Sequence, residues 1–275
     1  MACALAAFVA GPPWLTAAAD PSSEVPASAE TAPESEFELG FRGTGAWAPI
    51  DGYVQVPLGG NPGSSSSRRP TLKELGISDA GLYELELHFR WDHLVFFGGY
   101  SGLGLDSSGT LSQPLVSHGV SFDAGSPFKS SIDLNVGNFG AGYRFDFDGG
   151  RLRLMPRIDA AVLDFSYALD SGASRAARDY RVTAMRLGLD GSWALGRGFS
   201  LELDGVASVP VPHWPQLASV TGRVAWTAPL QGAVRVGLFL GTGARWIDFE
   251  DSQTLPNHIH VTAGPLVLGG ITIAY

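Results

Sequence analysis

From Phe37 onward, apolar and polar residues alternate with a period of two, and this pattern constrains the fold more than any other feature of the chain. Between Tyr83 and Trp91, aromatic residues and leucines take the odd positions, while charged residues and His88 take the even ones. Because successive side chains of a β-strand point to opposite faces, the pattern predicts strands that are apolar on one face and polar on the other. It recurs in ten segments: 36–47, 82–91, 94–105, 128–147, 151–169, 178–195, 199–209, 217–229, 233–249 and 258–275.

The connections between these segments are short and long in turn. The short ones are 92–93, 148–150, 196–198 and 230–232, and the longer, polar ones are 48–81, about 106–127, 170–177, 210–216 and 250–257. This order is typical of bacterial outer-membrane barrels. We therefore predict an all-β fold: an antiparallel up-and-down transmembrane β-barrel of about ten strands, with short periplasmic turns and long extracellular loops. The strand count becomes twelve if 53–57 and 116–123 also span the membrane, and eight if the hairpin that includes 217–229 does not span it. A soluble secreted sandwich, with a second sheet on the apolar face, is the alternative.

Composition agrees with a membrane barrel and excludes several function classes. Charged residues make up 16% of the chain, against about 25% in ordinary proteins, and no apolar run reaches the ~18 residues that a spanning helix needs. The net charge of −9 disfavours a nucleic-acid partner, whose phosphates require a basic surface. The single cysteine, Cys3, excludes an internal disulfide and a cysteine-based zinc cluster.

The first residues have the features of a targeting segment followed by a linker. Residues 1–19 combine an apolar core with small residues before Asp20 and are interpreted as a signal peptide, although no Lys or Arg precedes the core. Residues 20–35 are rich in Pro, Ser, Ala and Glu and are expected to form a disordered periplasmic linker. The barrel is then assigned to 36–275.

The polar faces of the strands carry positive and negative charges in equal number. The eight arginines are Arg42, Arg90, Arg144, Arg153, Arg157, Arg186, Arg223 and Arg235, and the eight acids are Glu38, Glu84, Glu86, Asp146, Asp159, Asp190, Glu202 and Asp204. A small barrel has an interior just wide enough for side chains, and an unpaired charge enclosed there costs several kcal/mol. We therefore predict that these groups form an ion network that fills the lumen. A narrow path for ions or small solutes is the alternative.

The apolar faces would then meet lipid. Seven aromatic residues near strand ends are expected to form girdles at the membrane surfaces: Trp47, Trp91, Trp193, Trp226, Trp246, Tyr143 and Tyr275. Within two long strands the apolar positions change parity, and β-bulges near Gly137–Asn138 and Ala161–Leu163 would explain the change.

Two local motifs lie in the loops. Thr71 and Glu74 fit a helical capping box and Gly76 fits a C-cap, so one helical turn is predicted at the mouth. His258 and His260 share a strand face near the extracellular mouth. A metal site would need Glu250 or Asp251 to join them, and a solvated strand start is the favoured interpretation, so no metal or cofactor is predicted.

The chain resembles bacterial outer-membrane β-barrel proteins of the small OmpA/OmpX-like and porin-like type. The signal-like start, the alternating strands and the final GGITIAY carry the resemblance. It implies a location in the outer membrane, contact with outer-membrane lipid, and folding through the barrel assembly machinery. Ile271, Ile273 and Tyr275 would then be the terminal assembly signal.

Three functional hypotheses follow. The first is a non-enzymatic barrel with a structural or surface-interaction role whose extracellular partner the sequence does not identify. The second is a narrow pore or passive transporter. The third is a lipid-modifying enzyme such as a lipid A deacylase. The sequence disfavours it because there is no G-x-S-x-G elbow, and because Val120 stands two positions after His118 while Ser121 falls on the other face. His88 is assigned to the ion network and His93 to a turn.

Overall fold

The computed structural model describes residues 37–55, 70–230, 232–251 and 258–275. Within them it forms these strands: β1 Phe37–Tyr53, β2 Asp79–Trp91, β3 Leu94–Thr110, β4 Leu115–Ser117, β5 Val120–Phe122, β6 Pro127–Tyr143, β7 Phe145–Phe147, β8 Leu152–Asp170, β9 Arg175–Gly196, β10 Phe199–Ser208, β11 Gln216–Thr227, β12 Arg235–Glu250 and β13 His258–Ala274. The described ranges contain no helix that is long and apolar enough to cross a membrane. Segments 1–19 and 20–35 lie outside the described residues, and their assignments stay predictions.

Ten of these strands form a closed antiparallel ring. The order is β1-β2-β3-β6-β8-β9-β10-β11-β12-β13, with β7 continuing beside β8 where β6 ends. Pairing of β13 with β1, for example Gly40 with Ala274, closes the ring. The all-β class and the ten-stranded barrel are therefore confirmed. The alternative of twelve fails because 116–123 lies within the short β4–β5 hairpin, a separate two-stranded sheet, and the alternative of eight fails because β11 is part of the ring.

One end of the ring carries the tight turns and the other carries the long connections. We call these the turn end and the loop end; in outer-membrane barrels they face the periplasm and the outside, respectively. The turn at Asp92 and the turn at Arg197 both place a non-glycine residue at positive φ, 53° and 54°. The predicted long connection at 170–177 is instead a short turn, since β8 ends at Asp170 and β9 begins at Arg175.

A band of exposed apolar side chains surrounds the ring next to the turn end. On β2 the band extends from Tyr83 to Trp91, both about half exposed. Eight residues rise about 27 Å along a strand, or about 21 Å along the barrel axis at a tilt of about 40°, close to the ~25 Å apolar band of membrane barrels. All seven predicted girdle residues are exposed. Trp47 and Trp246 lie toward the loop end, and the other five lie near the turn end.

Beyond this band the strands continue toward the loop end with their polarity reversed. On β8, Ile158 and Val162 are exposed, whereas Leu163 and Phe165 are 0% exposed. The predicted bulges are wrong, because the register of β6 with β8 runs without interruption from Lys129–Asp170 to Gly142–Arg157. The pairing of β6 with β8 stays regular and the surroundings change. Lipid borders the outer surface near the turn end and water borders it near the loop end, so apolar residues point outward in the first region and inward in the second.

Candidate functional site

The interior of the barrel has two layers, a lower one near the turn end and an upper one near the loop end, and the lower one is charged. This charged layer comprises the sixteen residues predicted from the polar faces, and the structure places each of them within 3.7 Å of an opposite charge. Contacts between arginine nitrogens and carboxylate oxygens in this layer include Arg223–Asp204 at 2.5 Å, Arg186–Asp159 at 2.6 Å, Arg90–Glu38 at 3.0 Å, Arg144–Asp146 at 3.0 Å, Arg42–Glu202 at 3.4 Å, Arg153–Asp146 at 3.5 Å, Arg157–Asp190 at 3.6 Å and Arg42–Glu86 at 3.7 Å.

Further contacts extend the charged layer to both ends. Toward the turn end, Glu38 also accepts from Arg235 and lies 3.5 Å from Nε2 of His88. Toward the loop end, Glu84 accepts from Arg245 at 2.9 Å. Arg245 was not among the predicted residues. Because it keeps the odd parity of Arg235 along β12, the same alternation could have identified it.

The charged layer does not occupy the whole cross-section. A cavity of about 230 Å³ remains among its side chains, including those of Arg42, Arg90, Arg157 and Asp190. Inward aromatic rings also lie in this layer, and the guanidinium of Arg157 is 5.2 Å from the ring centre of Phe97. By itself this layer leaves room for water.

The upper layer is an apolar plug. Strand residues at most 2% exposed form it from inside the ring, among them Ile132, Leu134, Leu163, Phe165, Tyr167, Leu169, Ile259 and Val261. The loops add further side chains to the same cluster, with Leu72 and Leu75 from the β1–β2 connection and Leu115 and Phe122 from the β4–β5 hairpin. A cross-section of the ring above the membrane is thus packed as the core of a soluble protein is.

The predicted helical turn at the mouth is confirmed, and it holds the loop in the plug. Thr71 N–H donates to Glu74 Oε2 at 3.0 Å, and Glu74 N–H donates to Thr71 Oγ1 at 3.2 Å. Gly76 has a φ of +76°, and Ile77 N–H donates to the carbonyl of Leu72 at 2.9 Å. A capping box and a Schellman motif therefore close a single turn at both ends, which directs Leu72 and Leu75 inward.

A buried polar cluster joins the β4–β5 hairpin to the plug. Ser117 Oγ lies 2.9 Å from the hydroxyl of Tyr167, 3.2 Å from Oε1 of Gln55 and 3.1 Å from Nδ1 of His118. Burial raises the pKa of Tyr167 to about 12. A serine next to a histidine is the beginning of a nucleophilic site, but Ser117 is completely buried, which keeps substrates away from it.

Three ligating side chains meet on the outer surface at the loop end. Asp248 lies between two histidines, with Oδ1 3.0 Å from Nε2 of His258 and Oδ2 2.7 Å from Nδ1 of His260. We call Asp248, His258 and His260 the histidine cluster. These groups lie beyond Trp246, outside the membrane-spanning segments, and their hydrogen bonds raise the pKa of His258 and lower that of Asp248.

The acid of this cluster, Asp248, is neither of the two predicted from the sequence, Glu250 and Asp251. Asp251 instead accepts from the hydroxyl of Tyr180 at 3.2 Å, and Glu250 is the cross-strand neighbour of His258. Asp248 is the cross-strand neighbour of His260. Only the register of β12 with β13 identifies it, and that register was not known from the sequence.

No family model matches the chain, and no curated protein matches it. Among solved structures, it is similar to Ail, the attachment invasion locus protein of Yersinia pestis in complex with the heparin analogue sucrose octasulfate, at 8% identity over 88% of this chain and 100% of that one, with a TM-score of 0.40. It is also similar to the outer membrane protease OmpT from Escherichia coli, at 9% identity over 87% and 96%, with a TM-score of 0.41. A third likeness is to a Pseudomonas aeruginosa FadL homologue, at 8% identity over 87% and 90%, with a TM-score of 0.31. Placement in a membrane rests on the closed ring and its outward apolar band.

Proposed function

We propose that this chain, an outer-membrane β-barrel protein, is a non-conducting, non-enzymatic barrel that acts through its extracellular surface. The closed ring and the lipid-facing band account for its location in the outer membrane. Its finer role is inferred from what occupies the lumen and from what the loop end presents to the outside.

The apolar plug is the observation that carries the proposal. Leu72, Leu75, Leu163 and Phe165 are all 0% exposed, so their layer excludes water. An ion that crossed the charged layer would meet a dry apolar layer above it, where a charge loses its hydration without gaining a partner. The charged layer and its cavity therefore form a chamber that the plug closes on the extracellular side, and not a path for ions.

The competing functions have weaker support. Conduction would need the plug to move as a unit, yet it includes residues of the ring itself, such as Tyr167 and Val261. Catalysis by the Ser117–His118 pair would need exposure of a completely buried hydroxyl. The long loop-end extension remains as the accessible part of the molecule, and its recognition by an external partner is the role that we favour.

Conductance in planar lipid bilayers tests the closed lumen. The purified full chain is expected to insert without producing steady channels. Replacing three inward plug residues together, Leu163→Ser, Phe165→Ser and Tyr167→Ser, should produce ion conductance because it removes apolar bulk from the upper layer.

The matched control changes the outward face of the same strand: Val162→Ser, Asp164→Ser and Ala168→Ser should stay silent. A heat-modifiable gel shift would verify that each variant folds. Steady channels from the unaltered protein would favour the narrow pore, and a change in lipid A mass on expression would favour the enzyme; either result would contradict the proposal.

A further inference from the structure

We propose that the histidine cluster, Asp248, His258 and His260, binds a divalent transition-metal ion of the zinc type at the outer surface of the barrel. The inference is independent of the closed lumen, since these residues lie on the outward face of the ring. Donor atoms of all three side chains lie within 4.8 Å of one another.

The strand pairing brings the ligands together. His258 and His260 are two residues apart on β13 and so share its outer face, and Asp248 on β12 is directly opposite His260. Each histidine contacts a different oxygen of the one carboxylate. An arrangement set by two paired strands is better fixed than one made by loop side chains, because the backbone holds the Cα positions of all three ligands.

The distances suit a metal of this class. Zinc bonds of about 2.0–2.2 Å to nitrogen and oxygen, at tetrahedral angles, separate neighbouring donor atoms by about 3.3 Å. The two observed separations between nitrogen and carboxylate oxygen are 3.0 and 2.7 Å. No two of the three donor atoms are more than 4.8 Å apart, so side-chain shifts of at most about 1.5 Å would place all three around one ion.

The neighbouring residues would complete and orient the site. Glu250 is directly opposite His258 and can supply a fourth ligand, with water as the other source. The ring of Tyr53 stacks on that of His260, with ring centres 5.5 Å apart and planes inclined by 26°, and so supports the imidazole on one side. Tyr53 belongs to β1, so the cluster lies at the seam where the first and last strands close the ring.

Donor chemistry selects the ion. Two imidazole nitrogens and one carboxylate suit Zn²⁺, Cu²⁺ or Ni²⁺, whereas Ca²⁺ and Mg²⁺ prefer an all-oxygen set. A hydrated ion can reach the cluster because it lies past Trp246 toward the loop end. Bound there, the metal would link β12 to β13 next to the closing seam and stabilise the ring.

Zinc binding to the full chain, purified in detergent without a polyhistidine tag, tests the proposal. Competition with a chromophoric chelator should give one Zn²⁺ per chain with a Kd in the micromolar range or tighter. Asp248→Asn and His260→Gln should each weaken binding at least tenfold, and 1 mM Ca²⁺ should not displace the zinc.

His213→Gln is the matched control, because His213 is another histidine at the loop end and lies outside the cluster. It should bind zinc as the unaltered chain does. Zinc should also raise the temperature at which the heat-modifiable band unfolds, in the unaltered chain and in His213→Gln but not in Asp248→Asn. Equal binding by all variants, displacement by Ca²⁺, or no zinc binding by the folded chain would overturn the proposal and leave the cluster as a hydrogen-bonded ion pair.

Discussion

The Arg186–Asp159 pair offers the sharpest test of the charged layer, because a second pair between the same strands faces outward. Asp159 on β8 is directly opposite Arg186 on β9, and Nε of the arginine donates to Oδ1 at 2.6 Å. The aspartate side chain is 0% exposed and the arginine 11%. Removing one partner leaves the other charge enclosed, which costs about 3–5 kcal/mol in buried pairs. We expect Asp159→Asn and Arg186→Met each to lower the free energy of unfolding by about that amount, and the double variant to recover a large part of it.

The outward pair Asp164–Arg181 is the control. The two residues are also directly opposite on β8 and β9, with a nitrogen–oxygen distance of 2.5 Å, but water surrounds both side chains. Because exposed ion pairs contribute little to stability, Asp164→Asn should unfold at the same urea concentration as the unaltered protein. Urea unfolding in phospholipid vesicles, followed by tryptophan fluorescence, measures these differences. Equal losses for Asp159→Asn and Asp164→Asn, or simple additivity in the double variant, would refute the reasoning.

Two further predictions concern strand packing and the plug. An added Cβ at Gly140 would lie 2.3 Å from the carbonyl oxygen of Ile158, whereas one at Gly137 on the same strand would meet nothing within 4 Å. Gly140→Ala should therefore lose most of the heat-modifiable folded band under conditions in which Gly137→Ala folds, and equal yields would contradict the close approach of β6 and β8. Burial raises the pKa of Tyr167 to about 12, against about 10 when unfolded. The contribution of its neutral hydroxyl to stability is therefore fully present below pH 10, and up to about 3 kcal/mol of it is lost as pH rises through 12. Urea midpoints should fall more steeply over this range than those of Tyr167→Phe, and parallel curves would contradict this role for the buried hydroxyl.

The number of strands could be predicted from the sequence because alternation is a local property that each strand repeats. The predicted segment 82–91 corresponds to β2, Asp79–Trp91, and 178–195 corresponds to β9, Arg175–Gly196. The ends differ by a few residues because the strands continue past the membrane, where the alternation is inverted. The change of parity after Val136 indicates a bulge only if lipid surrounds the whole strand, and that assumption does not hold.

The candidate sites show the same limit of a one-dimensional pattern. Alternation identifies the charged faces, but it does not state which partner meets which charge. Glu84 and Arg245 are far apart in sequence and meet across the ring at 2.9 Å. Asp248 meets the histidines through the register of β12 with β13, and alternation along a single strand does not specify that register.

The two interior layers follow from the two solvents outside the ring. In the membrane the outer face is apolar, so the inner face carries the polar residues, and its charges are stable there only when paired. Above the membrane, water borders the outer face, and the apolar plug gains stability from burial as a soluble core does. The upper half of the ring is therefore a second, water-facing barrel with its own core, continuous with the membrane-spanning one. Such a core fixes the described strand ends and the β4–β5 hairpin at the loop end, which in the role proposed here would reduce the entropy cost of binding a partner.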